Sequence, residues 1–192
     1  GDREYFNCLA VTENYLASGS SNHSIKLWDL EDRKQVGVLK GHQDEVMCLT
    51  VIKGHLASGS SDHTVRLWNL EELREEATLK GHTNYVTCLE VSNGYLVSGS
   101  VDSTIRLWDV EKKIEVGVLR GHMSWVTCLG KIGNYLASGS RDNTVRLWSV
   151  EELKEEAVIE IQKEYVSCLA EIENYLALGS REGMIRLWSV EE

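Results

Sequence analysis

The chain of 192 residues contains no proline and has far fewer basic than acidic residues, 20 Lys and Arg against 30 Asp and Glu. Because proteins that bind nucleic acids or anionic membranes normally display a basic surface, the net charge of −10 argues against both partners. No apolar run approaches the roughly 20 residues of a membrane-spanning helix. The charged start, Gly1–Glu4, lacks the apolar stretch of a signal peptide, so we expect an intracellular protein.

The sequence repeats with a period of 40 residues and without insertions. A fixed period of this length is typical of folds built from stacked supersecondary units. One tryptophan and one cysteine mark each unit: Trp28, Trp68, Trp108, Trp148 and Trp188, and Cys8, Cys48, Cys88, Cys128 and Cys168. We predict a single domain, 1–192, with units of approximately 1–40, 41–80, 81–120, 121–160 and 161–192.

Each unit has the pattern of four short antiparallel strands. In the third unit, Val86–Val91 is rich in β-branched residues and Asn93-Gly94 is a strong hairpin signal. The fourth run of the second unit, Glu71–Ala77, has a helix-forming composition. The same slot in units one and three reads Val-Gly-Val-Leu, so we predict a strand there, and nineteen strands in all. A lone unit exposes two apolar faces, so the units must stack.

Short motifs recur in register with this period. Units two to four begin with Gly-His, Ser-Gly-Ser precedes the third strand, and Leu27-Trp28-Asp29 and Leu107-Trp108-Asp109 end it. The pattern resembles the WD-repeat (WD40) β-propeller family over the whole chain. The resemblance implies an all-β propeller of five four-stranded antiparallel blades around a channel, with the innermost strand first and the outer strand of the fifth blade missing.

His42, Ser58 and Asp62 have the residue types of a hydrolase triad, but the set recurs twice more, and an enzyme needs only one. The family resemblance instead implies a buried structural tetrad in each blade, completed by tryptophan. A polar group left unpaired there costs about 1–3 kcal/mol. The tetrads are His42, Ser58, Asp62 and Trp68; His82, Ser98, Asp102 and Trp108; and His122, Ser138, Asp142 and Trp148. Asp2 and Asn22 in unit one, and Gln162, Leu178 and Glu182 in unit five, depart from it, so we expect blade five to be the loosest.

The cysteines occupy one equivalent position on five different blades. Neighbouring sheets pack about 10 Å apart and a disulfide needs Cβ atoms near 3.8 Å, so we expect neither disulfides nor a zinc cluster. We predict buried free thiols, which suit a reducing, cytoplasmic environment. His23 and His63 are interpreted as polar turn residues rather than a metal pair. No phosphate-binding glycine loop is present, and we expect no metal, cofactor or enzymatic activity.

Recognition is expected where the units differ, because the shared positions are constrained by packing. Three slots vary together: two and four residues after the glycine of Gly-His, and the residue before the turn aspartate. In the family these slots lie at the channel mouth, where partners dock. The candidate residues are Arg3, Tyr5, Glu45, Tyr85, Met123, Trp125, Arg141, Lys163, Tyr165 and Arg181. Aromatic and arginine side chains often anchor interfaces, and the local basic charge suits an acidic or phosphorylated peptide. The alternative is that the aromatic residues only pack over the blade tops.

We therefore predict a non-enzymatic protein–protein interaction scaffold that binds a peptide or protein at the channel-mouth face. The rival is a self-assembling repeat protein, a propeller fragment or an amplified or engineered array with no evolved partner, that completes a ring as a homo-oligomer. The near-perfect period, the absence of proline and the missing strand favour the rival. A closed five-bladed ring, an open arc and a ring completed by a second copy all fit the sequence.

Overall fold

The structure is a computed structural model, and it describes residues 4–161, 165–173, 175–181 and 183–189. These residues form nineteen strands in five antiparallel sheets, in which consecutive strands lie side by side in chain order. None of the described residues belongs to a helix that could cross a membrane. The prediction of an all-β fold with four four-stranded blades and a three-stranded fifth blade is confirmed.

The five sheets are blades 1 to 5, and their strands are numbered in chain order. Blade 1 contains β1 (Phe6–Val11), β2 (Tyr15–Ser20), β3 (Ser24–Asp29) and β4 (Gln35–Lys40). Blade 2 contains β5 (Val46–Ile52), β6 (His55–Ser60), β7 (Thr64–Asn69) and β8 (Arg74–Lys80). Blade 3 contains β9 (Val86–Ser92), β10 (Tyr95–Ser100), β11 (Thr104–Asp109) and β12 (Ile114–Arg120). Blade 4 contains β13 (Val126–Ile132), β14 (Tyr135–Ser140), β15 (Thr144–Ser149) and β16 (Lys154–Glu160), and blade 5 contains β17 (Val166–Ile172), β18 (Tyr175–Ser180) and β19 (Ile185–Ser189).

The local sequence signals act as expected in the hairpins and in the fourth strands. Asn93 and Gly94 both have positive φ, 47° and 76°, as the tight turn between β9 and β10 requires. In β8, Ala77 lies opposite Leu67 of β7, and Leu79 is only 3% exposed. Strand pairing and burial therefore outweigh the helix-forming composition of this segment.

The hydrophobic core lies between the blades. Val65 and Leu67 of blade 2 pack against Val86 and Leu96 of blade 3, and all four side chains are fully buried. A Cβ at Gly59 would lie 2.5 Å from Cγ1 of Val86, so the close approach of these blades requires a glycine. Each fully buried aliphatic side chain contributes about 1.5–3 kcal/mol, and most of that burial depends on a neighbouring blade.

The outward faces of the two terminal blades are uncovered. Leu9 of β1 is 62% exposed, whereas Leu129, the equivalent residue of blade 4, is 8% exposed. Ile185 of β19 is 79% exposed, whereas the equivalent Val65 is fully buried. The described blades therefore form an open arc, in which blade 5 does not cover the face of blade 1.

Candidate functional site

Four side chains of blade 2 form one chain of hydrogen bonds. His42 Nε2 lies 2.7 Å from Ser58 Oγ, His42 Nδ1 lies 2.8 Å from Asp62 Oδ2, and Trp68 Nε1 donates to Ser58 Oγ at 2.8 Å. Because an indole can only donate, Ser58 accepts from Trp68 and gives its own hydrogen to Nε2. Nδ1 then carries the imidazole proton and donates it to Asp62, so a neutral histidine satisfies every member.

Blades 3 and 4 repeat this network with donor–acceptor distances between 2.7 and 2.9 Å. The members are His82, Ser98, Asp102 and Trp108 in blade 3, and His122, Ser138, Asp142 and Trp148 in blade 4. The serines are fully buried and the histidines are 5–7% exposed. No substrate can reach the serine hydroxyl, so the arrangement is suited to holding the blade together and not to nucleophilic attack.

The network also fixes the charge of its aspartates. Burial works to raise the pKa of Asp142, but hydrogen bonds from Thr144, the Met123 amide and His122 lower it to about 2. In blades 2 and 3 the same opposing causes leave the pKa of Asp62 and Asp102 well below the ordinary value. Burial lowers the pKa of His122 despite the adjacent carboxylate. A neutral imidazole beside an ionised carboxylate is the result.

Sequence reasoning missed two further parts of this region. Thr64 Oγ1 donates to Asp62 Oδ1 at 2.6 Å, and the signal for it is the spacing Asp-x-Thr, since an aspartate in a turn accepts from the residue two positions on. Arg66 pairs with Glu75, and a Cβ at Gly41 would lie within 2.8 Å of both side chains. The glycine of Gly-His therefore leaves room for an ion pair.

The terminal blades keep only fragments of the network. In blade 1, Trp28 Nε1 still donates to Ser18 Oγ at 3.0 Å, but Asp2 lies outside the described residues. In blade 5, Leu178 replaces the serine, and Trp188 Nε1 is buried without a hydrogen-bond acceptor among the described residues. Gln162 and Glu182 also lie outside the described residues.

The cysteines are all free, and their burial differs along the chain. Burial raises the pKa of the Cys8 and Cys88 thiols to about 12, and raises that of Cys48 and Cys128 as well. Only Cys128 is buried as a whole residue, three cysteines are half-buried and Cys168 is exposed. The prediction of buried thiols is therefore fully confirmed only for Cys128, and it is wrong for Cys168 because no described blade covers the β17 face. Among the described residues, no three His, Cys, Asp or Glu side chains lie close enough together to hold a metal ion.

Two of the three variable slots lie side by side in every blade. A backbone hydrogen bond of 2.9 Å joins the Arg141 amide to the Trp125 carbonyl, and one of 3.2 Å joins the Arg181 amide to the Tyr165 carbonyl. The equivalent bond to Glu45 in blade 2 has the same geometry. The start of each inner strand thus lies beside the turn between the second and third strands of its blade.

The most developed cluster in these slots spans blades 4 and 5. The guanidinium carbon of Arg141 lies 3.6 Å from the ring centroid of Trp125 and 5.8 Å from that of Tyr165. Trp125 is 38% exposed, Tyr165 is 47% exposed, and the neighbouring Met123 is 87% exposed. We call Trp125, Arg141 and Tyr165 the arginine stack.

The remaining candidate residues are more dispersed. Tyr5 is 60% exposed, and Tyr85 is 44% exposed with its ring centroid 5.7 Å from that of His63. Arg181 is exposed beside Tyr165, and Glu45 is half-buried. Arg3 and Lys163 lie outside the described residues, so the structure does not locate their charges.

Comparison with known proteins decides the family. The family model described as "WD domain, G-beta repeat" matches residues 3–29, 33–69, 73–109 and 113–149. The chain belongs to the WD-repeat family. The matched segments are offset from the blades by one strand: each of the last three begins near the fourth strand of one blade and ends with the third strand of the next.

Individual WD-repeat relatives share either a short sequence segment or the fold. Protein MAK11 of Saccharomyces cerevisiae (strain ATCC 204508 / S288c) is 46% identical over 39 residues, which is 20% of this chain and 9% of that protein. The structure titled "Structure of U3-55K" has a TM-score of 0.90 and 26% identity, and it matches 100% of this chain and 63% of that chain. The chain therefore spans only part of the proteins it matches. WD-repeat propellers are generally non-enzymatic scaffolds that bind proteins or peptides.

Proposed function

We propose that this WD-repeat protein is an interaction scaffold that binds an acidic or phosphorylated peptide segment at its channel-mouth face. The observation that carries the proposal is the arginine stack. A guanidinium 3.6 Å above an indole is restricted in orientation, and no carboxylate among the described residues pairs with its N–H edges, which can therefore bind an oxyanion. A carboxylate or phosphate accepts two parallel hydrogen bonds from such an edge.

The surroundings of the stack favour an anionic ligand. None of the described carboxylates forms an ion pair with Arg141. Lys80 and Arg120, at the same end of blades 2 and 3, are exposed and form no ion pair with a described residue.

The test is selection from a display library of extended peptides that carry a central Ser, Glu or phosphoserine. We expect Glu and phosphoserine peptides to be enriched. Arg141→Ala should weaken the selected peptides about 10- to 100-fold, as expected for loss of a charged hydrogen-bond pair. Trp125→Ala should weaken them several-fold.

Arg74→Ala is the matched control, because Arg74 is an exposed arginine at the opposite end of blade 2 and pairs only with Glu72 among the described carboxylates. Its binding should equal that of the wild type. If Trp125→Ala and Arg141→Ala both retain wild-type affinity for every selected peptide, the recognition face is wrong. If only neutral peptides are enriched, the acidic specificity is wrong.

We propose self-association of the chain as a second candidate function. The observation that favours it is the exposure of apolar strand residues at both ends of the arc, among them Leu9, Ile185 and Leu187 at 62%, 79% and 59%. Apolar patches of this kind commonly mark interaction surfaces. The mass of the chain in solution, measured over a range of concentrations, tests this candidate.

A further inference from the structure

The uncovered face of blade 5 is equivalent to one side of each internal interface between blades, and the uncovered face of blade 1 is equivalent to the other side. We infer that the face of blade 5 binds the face of blade 1 of a second copy, so that the blades of two chains continue one stack head to tail. The inference rests on the proposed self-association and adds its geometry. The partner at each end is a second copy of this chain.

The blade 5 face repeats a surface that is covered in the complete blades. Ile185 and Leu187 occupy the slots of Ile105 and Leu107 in blade 3. The blade 3 residues are each 1% exposed, because blade 4 packs over them, whereas the blade 5 residues are 79% and 59% exposed. Placing a blade over this face removes the same kind of apolar surface from water as each internal interface does.

The blade 1 face repeats the surface that does the covering. Leu9 and Leu30 are 62% and 46% exposed, and their counterparts in blade 4, Leu129 and Val150, are 8% and 3% exposed against blade 3. An open hollow of about 600 Å³ lies on this face, and its lining includes Leu9 and Trp28. Blade 5 of the second chain would cover this hollow in the same way as blade 3 covers the corresponding surface of blade 4.

The inner strands carry a second, more specific match. A Cβ at Gly99 would lie 2.6 Å from Cγ1 of Val126 in the next blade, and the same close contact recurs at each earlier interface. At Gly179 the only described neighbours within 4 Å are Cys168 and Ser167 of its own blade, so no described residue of another blade fills this notch. The residue in the matching slot of blade 1 is Phe6, which is 49% exposed and stands where the other blades have valine.

A hydrogen bond that crosses between blades elsewhere stays within blade 5 at this end. Thr87 Oγ1 donates to the carbonyl of Val126 in the next blade at 2.5 Å and lies 3.1 Å from the Gly99 carbonyl. Ser167, in the slot of Thr87, donates to the Gly179 carbonyl of its own blade at 2.9 Å and contacts no carbonyl of another blade among the described residues. In a head-to-tail pair, the Phe6 carbonyl of the second copy takes the place of the Val126 carbonyl.

The pairing has a definite polarity. At each internal interface, the face of one blade that carries the slots of Ile105 and Leu107 packs against the face of the next blade that carries the tryptophan. A face therefore meets its complement and not its own kind, which makes the contact heterologous. Blocking either face alone must then prevent association. Two chains blocked at opposite ends must still pair through their intact faces and can grow no further.

The experiment measures absolute mass by light scattering for the wild type, Leu9→Glu, Ile185→Glu and an equal mixture of the two variants. Both residues are exposed, so both variants should keep the wild-type circular dichroism. We expect wild-type mass to rise with concentration, each variant to stay at 21.6 kDa, and the mixture to give a dimer. Ile114→Glu is the control, because Ile114 is 50% exposed on an outer strand away from both faces, and it should associate like the wild type.

The outcomes separate the inference from the function it rests on. A wild type that stays at 21.6 kDa throughout contradicts self-association and the inference together. A wild type that associates, with either variant still associating alone or with no dimer in the mixture, contradicts head-to-tail pairing and leaves self-association standing. Association of the wild type and the control beyond the single-chain mass, a dimer in the mixture and no association of either variant alone support both.

Discussion

The inner blades and the terminal blades are made from the same 40-residue unit, yet they are held together differently. Trp108 in blade 3 is 1% exposed and donates to Ser98, whereas Trp188 in blade 5 is half-buried and its Nε1 has no acceptor among the described residues. One reason lies in the unit itself, because Leu178 replaces the serine. A second difference lies on the opposite face of blade 5, where Ile185 and Leu187 are 79% and 59% exposed because no described blade covers them. Stability is therefore a property of interfaces as much as of blades.

The largest difference should appear when the tryptophan is removed. Trp108→Ala should lower the free energy of unfolding by about 3–5 kcal/mol, the usual cost of deleting a buried aromatic side chain. Trp188→Ala, the matched variant in blade 5, should cost less than half as much. Urea denaturation of both variants measures this, and equal losses would show that the two blades are equally well packed.

The histidine of an inner tetrad should have the next largest effect. His82→Ala leaves Asp102 and Ser98 without their imidazole partner in a buried site, and it should cost about 2–4 kcal/mol. The melting temperature should fall accordingly. An unchanged melting temperature would show that the hydrogen-bond network contributes nothing to stability.

Acid should weaken the inner blades in a defined pH range. The pKa of Asp142 is about 2 in the folded chain and near its ordinary 3.8 in the unfolded chain, so the unfolded state takes up the proton first as pH falls. Stability is fully present above pH 3.8 and is lost progressively down to about pH 2, by on the order of 1–2 kcal/mol for this carboxyl. Protonation of His122, whose pKa burial lowers, adds to the loss in the same direction below its ordinary value.

Asp142→Asn removes this titration and should flatten the dependence of unfolding free energy on pH between pH 4 and pH 2. The quantity to compare is the slope, because the substitution also weakens the hydrogen bonds at every pH. A slope identical to that of the wild type would mean that Asp142 titrates normally in the folded chain.

The smallest effect is on reactivity rather than stability. Cys168 is exposed and Cys128 is buried, so at concentrations where the chain is monomeric Cys168 should react first with a thiol reagent and Cys128 only on unfolding. Cys168→Ser should abolish the fast phase without changing the melting temperature. Five equally slow thiols would show that the face of blade 5 is covered in solution.

The sequence predicted the blades well because each signal is repeated. The 40-residue period predicted the division into blades. The Asn93-Gly94 pair predicted the hairpin, and the alignment of the units predicted the fourth strands. The sequence could not predict the exposure of Cys168, since the residue has the same position in the repeat as the other cysteines, and no described blade covers its face. The stacking of Arg141 on Trp125 was also not predicted, because the slots were identified one by one and the contact depends on side-chain conformation.

We predict that local stability rises from the two ends of the arc towards its centre. Native-state hydrogen exchange, measured strand by strand at a concentration where the chain is monomeric, tests this most directly. The amides of β9 to β15 should exchange only by global unfolding, while those of β1 and of β17 to β19 should exchange through smaller local openings. Equal protection in all five blades would contradict the dependence of each blade on its tetrad and on its neighbours.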